Sequence, residues 1–277
     1  MYLLSIITPV YNNVQFIEQC ILNVISQKTH SVEHLIIDGA STDGTIELIK
    51  EYASKHAHIT WVSEKDKGQS DAMNKGLKLA KGNYISFLNV DDFYSKNTLS
   101  KVLSIFQENP LFDFLVGNCS VWDEKGELIY INRPSKVKQW HVLSGYYFSV
   151  NPSAYFYKKN IHDVVGEYNI DNHFNMDLEF LIKVSQNFEI NYFPLGWGNF
   201  RLLPNTKTVL DSAEGTLENR KKQLLKSYVK KATIPVKTYT FLVGQNEKLK
   251  RKFHKLKRLI RLPFTMIYWK IKKHLNN

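Results

Sequence analysis

The first ninety residues of the chain alternate between short apolar runs and longer amphipathic runs. Short apolar runs bounded by polar turns are typical of buried strands, and apolar residues spaced three and four apart are typical of helices. Strands are therefore predicted at residues 3–8, 34–37, 59–62 and 85–88, and helices at residues 14–27, 46–52 and 72–80. Repeated strand–helix units predict an α/β fold with a mostly parallel sheet, right-handed crossovers and flanking helices.

The pattern changes after residue 110. Two runs of strand-forming composition, 114–122 and 127–132, flank Glu124-Lys125-Gly126, which predicts a hairpin. Further short strands are predicted at residues 155–157 and 189–193, with a helix at residues 176–184 between them. No linker rich in Pro, Gly or Ser interrupts this half of the chain, so we expect one domain spanning residues 1–220.

Charge is distributed very unevenly along the 277 residues. Residues 221–277 contain 17 Lys and Arg against one acid, Glu247, whereas residues 1–220 contain 20 Lys and Arg against 25 acids. The whole chain carries a formal charge of +11. Two segments of the basic part, 245–261 and 264–275, also have an apolar side. The sequence therefore predicts a basic, amphipathic helical tail at residues 221–277, appended to a mildly acidic body.

Three interpretations of this tail remain open. A solvated basic helix is the simplest one. The second is an interfacial anchor, because Lys and Arg attract anionic lipid while apolar side chains of residues 245–275 enter the headgroup boundary. Nucleic-acid binding is the third, and it is disfavoured because no nucleic-acid-binding fold signature accompanies the charge. We therefore expect an anionic membrane surface, and no nucleic acid, as the partner of residues 245–275.

The cysteines and the N-terminal residues indicate the cellular compartment of the protein. No apolar stretch reaches the roughly 20 residues needed to cross a bilayer, and the N-terminal residues enter a strand pattern without the features of a secretory signal. Cys20 and Cys119 stand in apolar contexts and are predicted to be buried free thiols in a reducing compartment. These features predict a cytoplasmic location, peripheral at the inner face of the cell membrane.

Polar clusters follow the predicted strands of the first half. They are Thr8-Pro9-Val10-Tyr11-Asn12, Asp38-Gly39-Ala40-Ser41-Thr42-Asp43-Gly44-Thr45, Glu64-Lys65-Asp66-Lys67-Gly68 and Asn89-Val90-Asp91-Asp92. Turn and helix-capping chemistry explains any one of them, in particular residues 41–44 and Asp92. Because the carboxyl ends of parallel strands meet at one edge of a sheet, four clusters together predict a shared crevice. There Asp91 and Asp92 can coordinate a divalent cation, and the cation can in turn bind a diphosphate.

These motifs and their order carry a family resemblance. Together with Gln69-Ser70-Asp71-Ala72-Met73-Asn74-Lys75-Gly76, they closely resemble family 2 inverting glycosyltransferases over residues 3–210. The resemblance implies the GT-A fold, a UDP-sugar donor, Mn²⁺ or Mg²⁺, and transfer of one hexosyl or N-acetylhexosaminyl unit in bacterial surface-polysaccharide assembly. Processive synthesis is not expected, because the Gln-x-x-Arg-Trp signature of such synthases is absent.

Carried over by position, the resemblance implies donor contacts for nine residues. Pro9 and Tyr11 would line the base pocket, Asp38 would bind uracil, and Asp66 would bind the nucleoside. Gly68, Asp71 and Asn74 would shape the diphosphate and sugar side. Asn89 and Asp92 would lie beside the metal or the donor sugar. Asp91 is the implied metal ligand. Asn89 stands where the family pattern has an acid, so weak, water-rich metal binding is expected.

The segment at residues 174–181 resembles the start of the helix that bears the catalytic base in this family. Asp177 is the candidate base, because inverting transfer needs one base on the face opposite the leaving group. Glu179 is the fallback, although two residues along a helix it should point to a different face. The alternative interpretation of Asp177 is an acid favoured by the helix dipole.

The acceptor is expected to be a glycan, lipid-linked at the membrane, and Asn151-Pro152-Ser153 resembles the segment that meets it. Further candidate acceptor contacts, for which packing or surface roles are the alternative, are His141, Tyr146, Tyr147 and His173. Leu203 stands where the family often carries a His near the diphosphate. Arg201 is interpreted either as a substitute diphosphate contact or as part of an ion pair.

Two other functions compete with this interpretation. A sugar nucleotidyltransferase shares strand-end acids and a nucleotide pocket, but it usually begins with a Gly-rich phosphate-binding loop where this chain has Pro9-Val10-Tyr11-Asn12. The other is a catalytically inactive glycan- or membrane-binding protein on the same fold. Asp91, Asp92 and Asp177 argue against that alternative.

Overall fold

The computed structural model describes residues 3–27, 29–135, 137–146, 148–172, 175–204, 206, 209 and 216–252. Nine strands are present in these ranges: β1 Leu4–Val10, β2 Val32–Asp38, β3 Ile59–Ser63, β4 Tyr84–Phe87, β5 Phe93–Tyr94, β6 Phe114–Trp122, β7 Leu128–Asn132, β8 Tyr155–Lys158 and β9 Ile190–Arg201. The helices are α1 Val14–Ser26, α2 Thr45–Lys55, α3 Gln69–Leu79, α4 Thr98–Glu108, α5 Gln139–Leu143, α6 Ile161–Val165, α7 Met176–Asn187, α8 Thr216–Lys231 and α9 at residues 234–252.

All nine strands join one sheet in the order β3-β2-β1-β4-β8-β6-β9-β5, with β7 beside β6. The first four strands in this order are parallel. β8 runs antiparallel between β4 and β6, and β9 is again parallel to β6. The predicted α/β fold with a mostly parallel sheet is therefore confirmed, with β8, β5 and β7 as its antiparallel members.

Helices cover both faces of this sheet, so its central strands are buried along their whole length. Every residue of β1 and β2 is buried. Ile7 of β1 faces a core that includes Met73 of α3, whereas Ile6, its neighbour, faces a second core that includes Ile17 of α1. This alternation is the two-residue period of a strand. Burial on both faces explains why these strands are mostly apolar in sequence rather than alternating between apolar and polar residues.

The elements agree with the sequence pattern where the pattern was strong. The hairpin of β6 and β7 forms as predicted, and Asp123 Oδ1 accepts hydrogen bonds from the backbone N–H groups of Lys125 and Glu127 in its turn. α4 and β5 were not predicted. The strand predicted at residues 189–193 is longer than expected, because β9 continues to Arg201. Cys20 and Cys119 are buried free thiols, as predicted.

The basic C-terminal region begins as part of the folded body. Leu224, Leu225 and Tyr228 of α8 pack against the core on the α3 side of the sheet. Val236 of α9 packs there as well. The boundary predicted at residue 220 thus falls inside α8, and residues 253–277, with most of the predicted amphipathic tail, lie outside the described ranges. No helix of the described part is long and apolar enough to span a bilayer.

Candidate functional site

The ends of β1, β2 and β3 form one corner of the site. A Cβ on Gly39 would lie 2.7 Å from Asp66 Oδ2 and 3.3 Å from Tyr11 Cδ2, so only glycine leaves room there for both side chains. Asn12 and Ala40 flank this corner in the left-handed backbone region, with φ of 46° and 66°. Strained non-glycine residues of this kind cluster at functional sites. The Tyr11 ring is 63% exposed and presents an open aromatic face.

Asp38 ends β2 and is completely buried. Its carboxylate accepts hydrogen bonds from the backbone N–H and hydroxyl of Ser41 and from the hydroxyl of Ser63. A carboxylate offers about four acceptor positions, so one position is left for a further donor. Nearby, Asp43 accepts from Thr45 and from the backbone N–H of Val14, which makes it a structural turn acid, as the turn interpretation predicted.

The N-terminal turn of α3 connects three parts of the site through consecutive residues. The Gly68 N–H donates to Asp66 Oδ1 at 2.8 Å. The Gln69 Nε2 amide donates to Asn89 Oδ1 at 2.8 Å. The next residue, Ser70, donates its hydroxyl to the sulfur of Met176, which begins α7 and precedes Asp177. One helical turn therefore holds together the ends of β3 and β4 and the start of α7.

Asp71 and Asn74, also on α3, are tied within the protein. The Asp71 carboxylate accepts from the backbone N–H of Lys67 and lies 3.6 Å from Lys75 Nζ. Asn74 is buried, and its amide makes two hydrogen bonds to the backbone of Tyr168, at 2.8 and 2.9 Å. This arrangement favours a structural role for Asn74, and its contact with a donor stays a prediction.

Asp92 is the centre of a buried polar network rather than a helix cap. It is 1% exposed, and the next helix, α4, begins only after β5. Its carboxylate accepts hydrogen bonds from Asn89 Nδ2, from Asn151 Nδ2 and from the backbone N–H of Arg201. Burial and the adjacent charge of Asp91 raise the pKa of Asp92 well above its usual range. Asp92 therefore fixes the positions of β4, the segment before β8, and the end of β9.

Asp91 is half-buried and lines a cleft of about 1110 Å³ between the start of α1, the β6–β7 turn and the end of β9. Burial raises the pKa of its carboxyl, and the charge of Arg201 opposes that shift. Arg201 donates from its guanidinium to the Asp91 carbonyl oxygen at 2.8 Å and lies over the ring of Phe93 at 4.7 Å. Leu203 lines the same cleft. Within the described residues, Arg201 is therefore held beside Asp91 by the hydrogen bond from its guanidinium to the Asp91 carbonyl oxygen.

Within the described ranges, no group of three or more His, Cys, Asp and Glu side chains is arranged to hold a metal ion. Of the Asp91–Asp92 pair, Asp91 lines the cleft, while Asp92 and Asn89 are engaged in the buried network. Asp43, Asp123 and Glu124 also line the cleft. A hard cation bound at Asp91 would thus take one carboxylate of the pair and further oxygens from other sources, which is typical of Mg²⁺.

Asp177 lies in the first turn of α7, on the α3 side of the sheet. It is half-buried, and the hydroxyl of Tyr155, a fully buried residue of β8, donates to Asp177 Oδ1 at 3.1 Å. Burial raises the pKa of Asp177 to about 6, and the Tyr155 hydrogen bond opposes that shift. A carboxyl with this pKa is ionised at neutral pH but has a higher proton affinity than an ordinary aspartate.

Glu179 points away from this position, as its place on the helix predicted. Its carboxylate accepts from Asn172 Nδ2 at 2.7 Å and from the Tyr228 hydroxyl of α8 at 3.0 Å. It therefore links α7 to α8. Of the candidate acceptor contacts, Asn151 belongs to the Asp92 network, and Tyr146 lies under the guanidinium of Arg251. Tyr147 and His173 lie outside the described residues.

Sequence reasoning missed Tyr155 and Gln69 as parts of the site. Tyr155 occurs in a run of aromatic and small residues that is typical of any buried strand, and its contact with Asp177 depends on the insertion of β8 between β4 and β6. Gln69 belongs to the quoted motif but was given no role there, because only the side-by-side position of the β3 and β4 ends brings it to Asn89. Neither contact has a local sequence signal.

Comparison with known proteins identifies relatives over the first part of the chain. The model of the family "Glycosyl transferase family 2" matches residues 5–165. An uncharacterized glycosyltransferase of Haemophilus influenzae is 34% identical over 152 residues, which cover 54% of this chain and 60% of that protein. The putative teichuronic acid biosynthesis glycosyltransferase TuaG of Bacillus subtilis is 36% identical over 108 residues, covering 38% of this chain and 42% of TuaG. The matches thus span less than two thirds of these relatives.

Solved structures resemble the chain over a longer range. Residues 1–349 of S. aureus TarS, in complex with UDP, align with a TM-score of 0.65 and 17% identity, covering 87% of this chain and 69% of that one. The mannosyltransferase PcManGT from Pyrobaculum calidifontis, in complex with GDP-Man and Mn²⁺, aligns with a TM-score of 0.56 and 14% identity, covering 89% and 79%. At these identities the likeness concerns the fold alone, and it confirms the predicted GT-A fold.

Proposed function

Because the chain belongs to glycosyl transferase family 2 and is a glycosyltransferase, we propose that it moves one sugar, with inversion, from a UDP-sugar to a glycan acceptor. The observation that carries this proposal is the N-terminal turn of α3. Its residues Gly68, Gln69 and Ser70 connect the Asp66 corner, the Asp91 segment and the start of α7 through three successive hydrogen bonds. A nucleotide, a leaving group and a base have to be held in such fixed relative positions for group transfer.

The corner of Tyr11, Gly39 and Asp66 is the proposed nucleoside pocket. The exposed Tyr11 ring offers a stacking face for a base, and the remaining acceptor position of Asp38 would accept the ring N–H of uracil once Ser41, which covers the buried carboxylate, shifts aside. Pro9 belongs to the same strand end. Uridine is supported by the structural likeness to TarS, whose solved forms include complexes with UDP and UDP-GlcNAc.

Asp91 is the proposed ligand of Mn²⁺ or Mg²⁺. Burial of the Asp91 carboxyl raises its pKa and so disfavours the ionised form. A cation bound beside the carboxylate would favour the ionised form and offset this effect, so the position suits a metal ion. When bound, the ion would neutralise the charge that develops on the departing diphosphate. Asp71 and Gly68 lie at the N-terminus of α3, where backbone N–H groups and the helix dipole favour phosphate oxygens. Arg201, beside Asp91, would add a fixed positive charge to the same region.

Asp177 is the proposed general base. As the acceptor hydroxyl oxygen bonds to the anomeric carbon, the bond from that carbon to the diphosphate oxygen breaks, and the hydroxyl proton passes to an Asp177 carboxylate oxygen. The raised proton affinity of Asp177 improves this transfer, while its pKa of about 6 leaves it ionised at neutral pH. Tyr155 holds the carboxylate in one orientation. UDP and a glycoside of inverted configuration are the products.

The proposed acceptor is a lipid-linked glycan in bacterial surface-polysaccharide assembly, met at the cytoplasmic face of the membrane. The name of TuaG, a putative teichuronic acid biosynthesis glycosyltransferase, supports this setting. The basic residues of α8 and α9 are consistent with it. We further propose that the catalytic body ends after Val236 rather than at residue 220, because α8 packs on the core.

Calorimetric titration with UDP, GDP and a panel of UDP-sugars, each with and without Mn²⁺, tests the donor. We expect UDP to bind more tightly than GDP, with one UDP-sugar preferred. Gly39→Ala should weaken UDP binding roughly tenfold or more, because its Cβ would displace Asp66. Gly196→Ala is the matched control, since its Cβ would meet no atom closer than 4.0 Å. Absence of uridine binding in the folded protein would refute the pocket.

A further inference from the structure

The helix α9 has one face that docks on the body of the protein. Its least exposed described positions are 236, 240, 243, 244 and 247, which follow helical spacing. Val236 packs against the core, and Thr240 is buried. The ring of Tyr239 lies 5.3 Å from that of Trp140 in α5, and Arg251 lies over the ring of Tyr146. These contacts fix the rotation of α9 about its own axis.

The opposite face of α9 carries an exposed apolar stripe. Ile234 is 79% exposed, Phe241 63%, and Leu242 and Leu249 are each 55% exposed. Their spacing of seven, eight and fifteen residues from Ile234 places all four on one side of a helix. Contiguous exposed apolar residues of this kind mark a surface that meets a partner.

Lysine residues flank this stripe near both of its ends. Lys237, Lys248 and Lys252 are exposed and occur on the same side of the helix by their spacing. The acid of α9, Glu247, lies at a less exposed position and pairs with Lys250 at 2.8 Å. The neighbouring α8 adds six Lys and Arg against one acid, Glu218. The outward face therefore combines apolar side chains with positive charge and presents no acid.

We propose that the outward face of α9 binds the surface of an anionic lipid bilayer. The aromatic and aliphatic side chains would enter the boundary between headgroups and acyl chains, while the lysine ammonium groups reach the lipid phosphates. A lipid surface fits better than a protein partner, because the apolar stripe is narrow and has flexible cations near both of its ends and no acid on its face. This inference concerns α9 itself and does not depend on the proposed transfer reaction.

Sedimentation of the full chain with lipid vesicles tests this proposal. The probes are vesicles of phosphatidylcholine alone and vesicles that also contain phosphatidylglycerol. The wild type should sediment with the anionic vesicles, and the double variant Phe241→Glu/Leu242→Glu should lose roughly tenfold or more of that binding. The charge variant Lys237→Glu/Lys248→Glu should lose a comparable part of that binding. Added salt should weaken the vesicle binding of the wild type more than that of this charge variant.

Two matched controls use equally exposed residues far from α9 in the fold. Leu111, 90% exposed after α4, is changed to Glu, and Lys101, exposed on α4, is changed to Glu. Both controls should bind anionic vesicles like the wild type, and all variants should keep the wild-type Tm and UDP affinity. Unchanged vesicle binding by Phe241→Glu/Leu242→Glu would show that other residues meet the lipid and would overturn the proposal. Equal binding to uncharged vesicles, or lipid-free dimers that Phe241→Glu/Leu242→Glu abolishes, would also overturn it.

Discussion

Asp177 is the residue on which the proposed chemistry depends most directly. Asp177→Asn keeps the size of the side chain but removes the base, so we expect kcat to fall by about 10²–10⁴ while UDP still binds. Because burial raises the pKa of Asp177 to about 6 and the ionised form is active, kcat/KM of the wild type should fall as pH drops below about 6. Steady-state rates across pH provide the measurement.

The control for this variant is Asp163→Asn. Asp163 also occupies the first turn of a helix, α6, but it is exposed. A variant at this position should therefore keep the wild-type rate and pH profile. If Asp177→Asn retained the wild-type kcat, the base would have to be another group, and Asp177 would be a helix N-terminal acid, as the alternative interpretation of the sequence holds.

Tyr155 should tune the base through its hydrogen bond. Its hydroxyl donates to Asp177 and so stabilises the ionised carboxylate, which lowers the pKa of Asp177. Tyr155→Phe removes this donor, and the fall of kcat/KM should move to higher pH, with a smaller loss of rate at high pH than at neutral pH. Tyr157→Phe is the control, because Tyr157 is equally buried but its hydroxyl contacts His162. If neither variant shifted the pH profile of kcat/KM, Tyr155 would not tune the pKa of Asp177.

At the scale of elements, α8 is an integral part of the body. Leu225 packs against the core and lies close to Gly145, where an added Cβ would be 2.9 Å from Leu225 Cδ1. Leu225→Ala should reduce the free energy of unfolding by about 1–2 kcal/mol, since the side chain is only partly buried. The Tm of the whole domain should fall by a few degrees in a single transition. Calorimetry measures both.

The exposed residue Leu111 provides the comparison for α8, because Leu111→Ala removes the same atoms from a 90% exposed side chain. That change should leave Tm within about 1 °C of the wild type. A Leu225→Ala variant with unchanged Tm, or one in which α8 melts separately from the body, would instead support a domain boundary at residue 220.

The success of sequence reasoning also differs from element to element. β1, β2 and the Asp38 corner follow from apolar runs that end in polar residues, because the local pattern indicates each strand, although β1 continues through Pro9 to Val10, two residues beyond its predicted end. β8 is different: it runs antiparallel between β4 and β6, and nothing in its four residues encodes that neighbourhood. The Tyr155–Asp177 and Gln69–Asn89 contacts depend on such long-range pairing, which no local pattern in the sequence indicates.

The packing of α8 against the core was not predicted from the sequence, for another physical reason. Its six Lys and Arg dominate the composition, so residues from 221 onward were assigned to the basic tail, and Leu224, Leu225 and Tyr228 were not predicted to join the core. In the fold they meet the core, while Tyr228 also donates to Glu179 of α7. Whether an amphipathic face meets the core or a partner depends on the surface opposite it, and that surface is a property of the tertiary structure.

At the scale of the whole molecule, the donor and the cation should bind as one unit. Asp91 lines the cleft, whereas Asn89 and Asp92 are used within the protein, and the described residues contain no group of three or more His, Cys, Asp and Glu side chains that could hold a metal ion. The protein alone therefore offers Mn²⁺ few ligands, and the diphosphate of UDP would supply others. Because binding energies of coupled ligands are reciprocal, Mn²⁺ should tighten UDP by the same factor that UDP tightens Mn²⁺. The Tm rise with both ligands should exceed the sum of the two separate rises.

Thermal unfolding with UDP, with Mn²⁺, with both, and with both plus EDTA measures this coupling. A ligand at a hundred times its Kd stabilises the folded state by about 2.7 kcal/mol, so a coupled pair is readily resolved. In Asp91→Asn the rise with UDP alone should remain, while the extra rise from Mn²⁺ disappears, and Asp163→Asn should behave like the wild type. A wild-type protein that Mn²⁺ stabilises equally with and without UDP would have a complete metal site of its own, and the shared site proposed at Asp91 would be wrong.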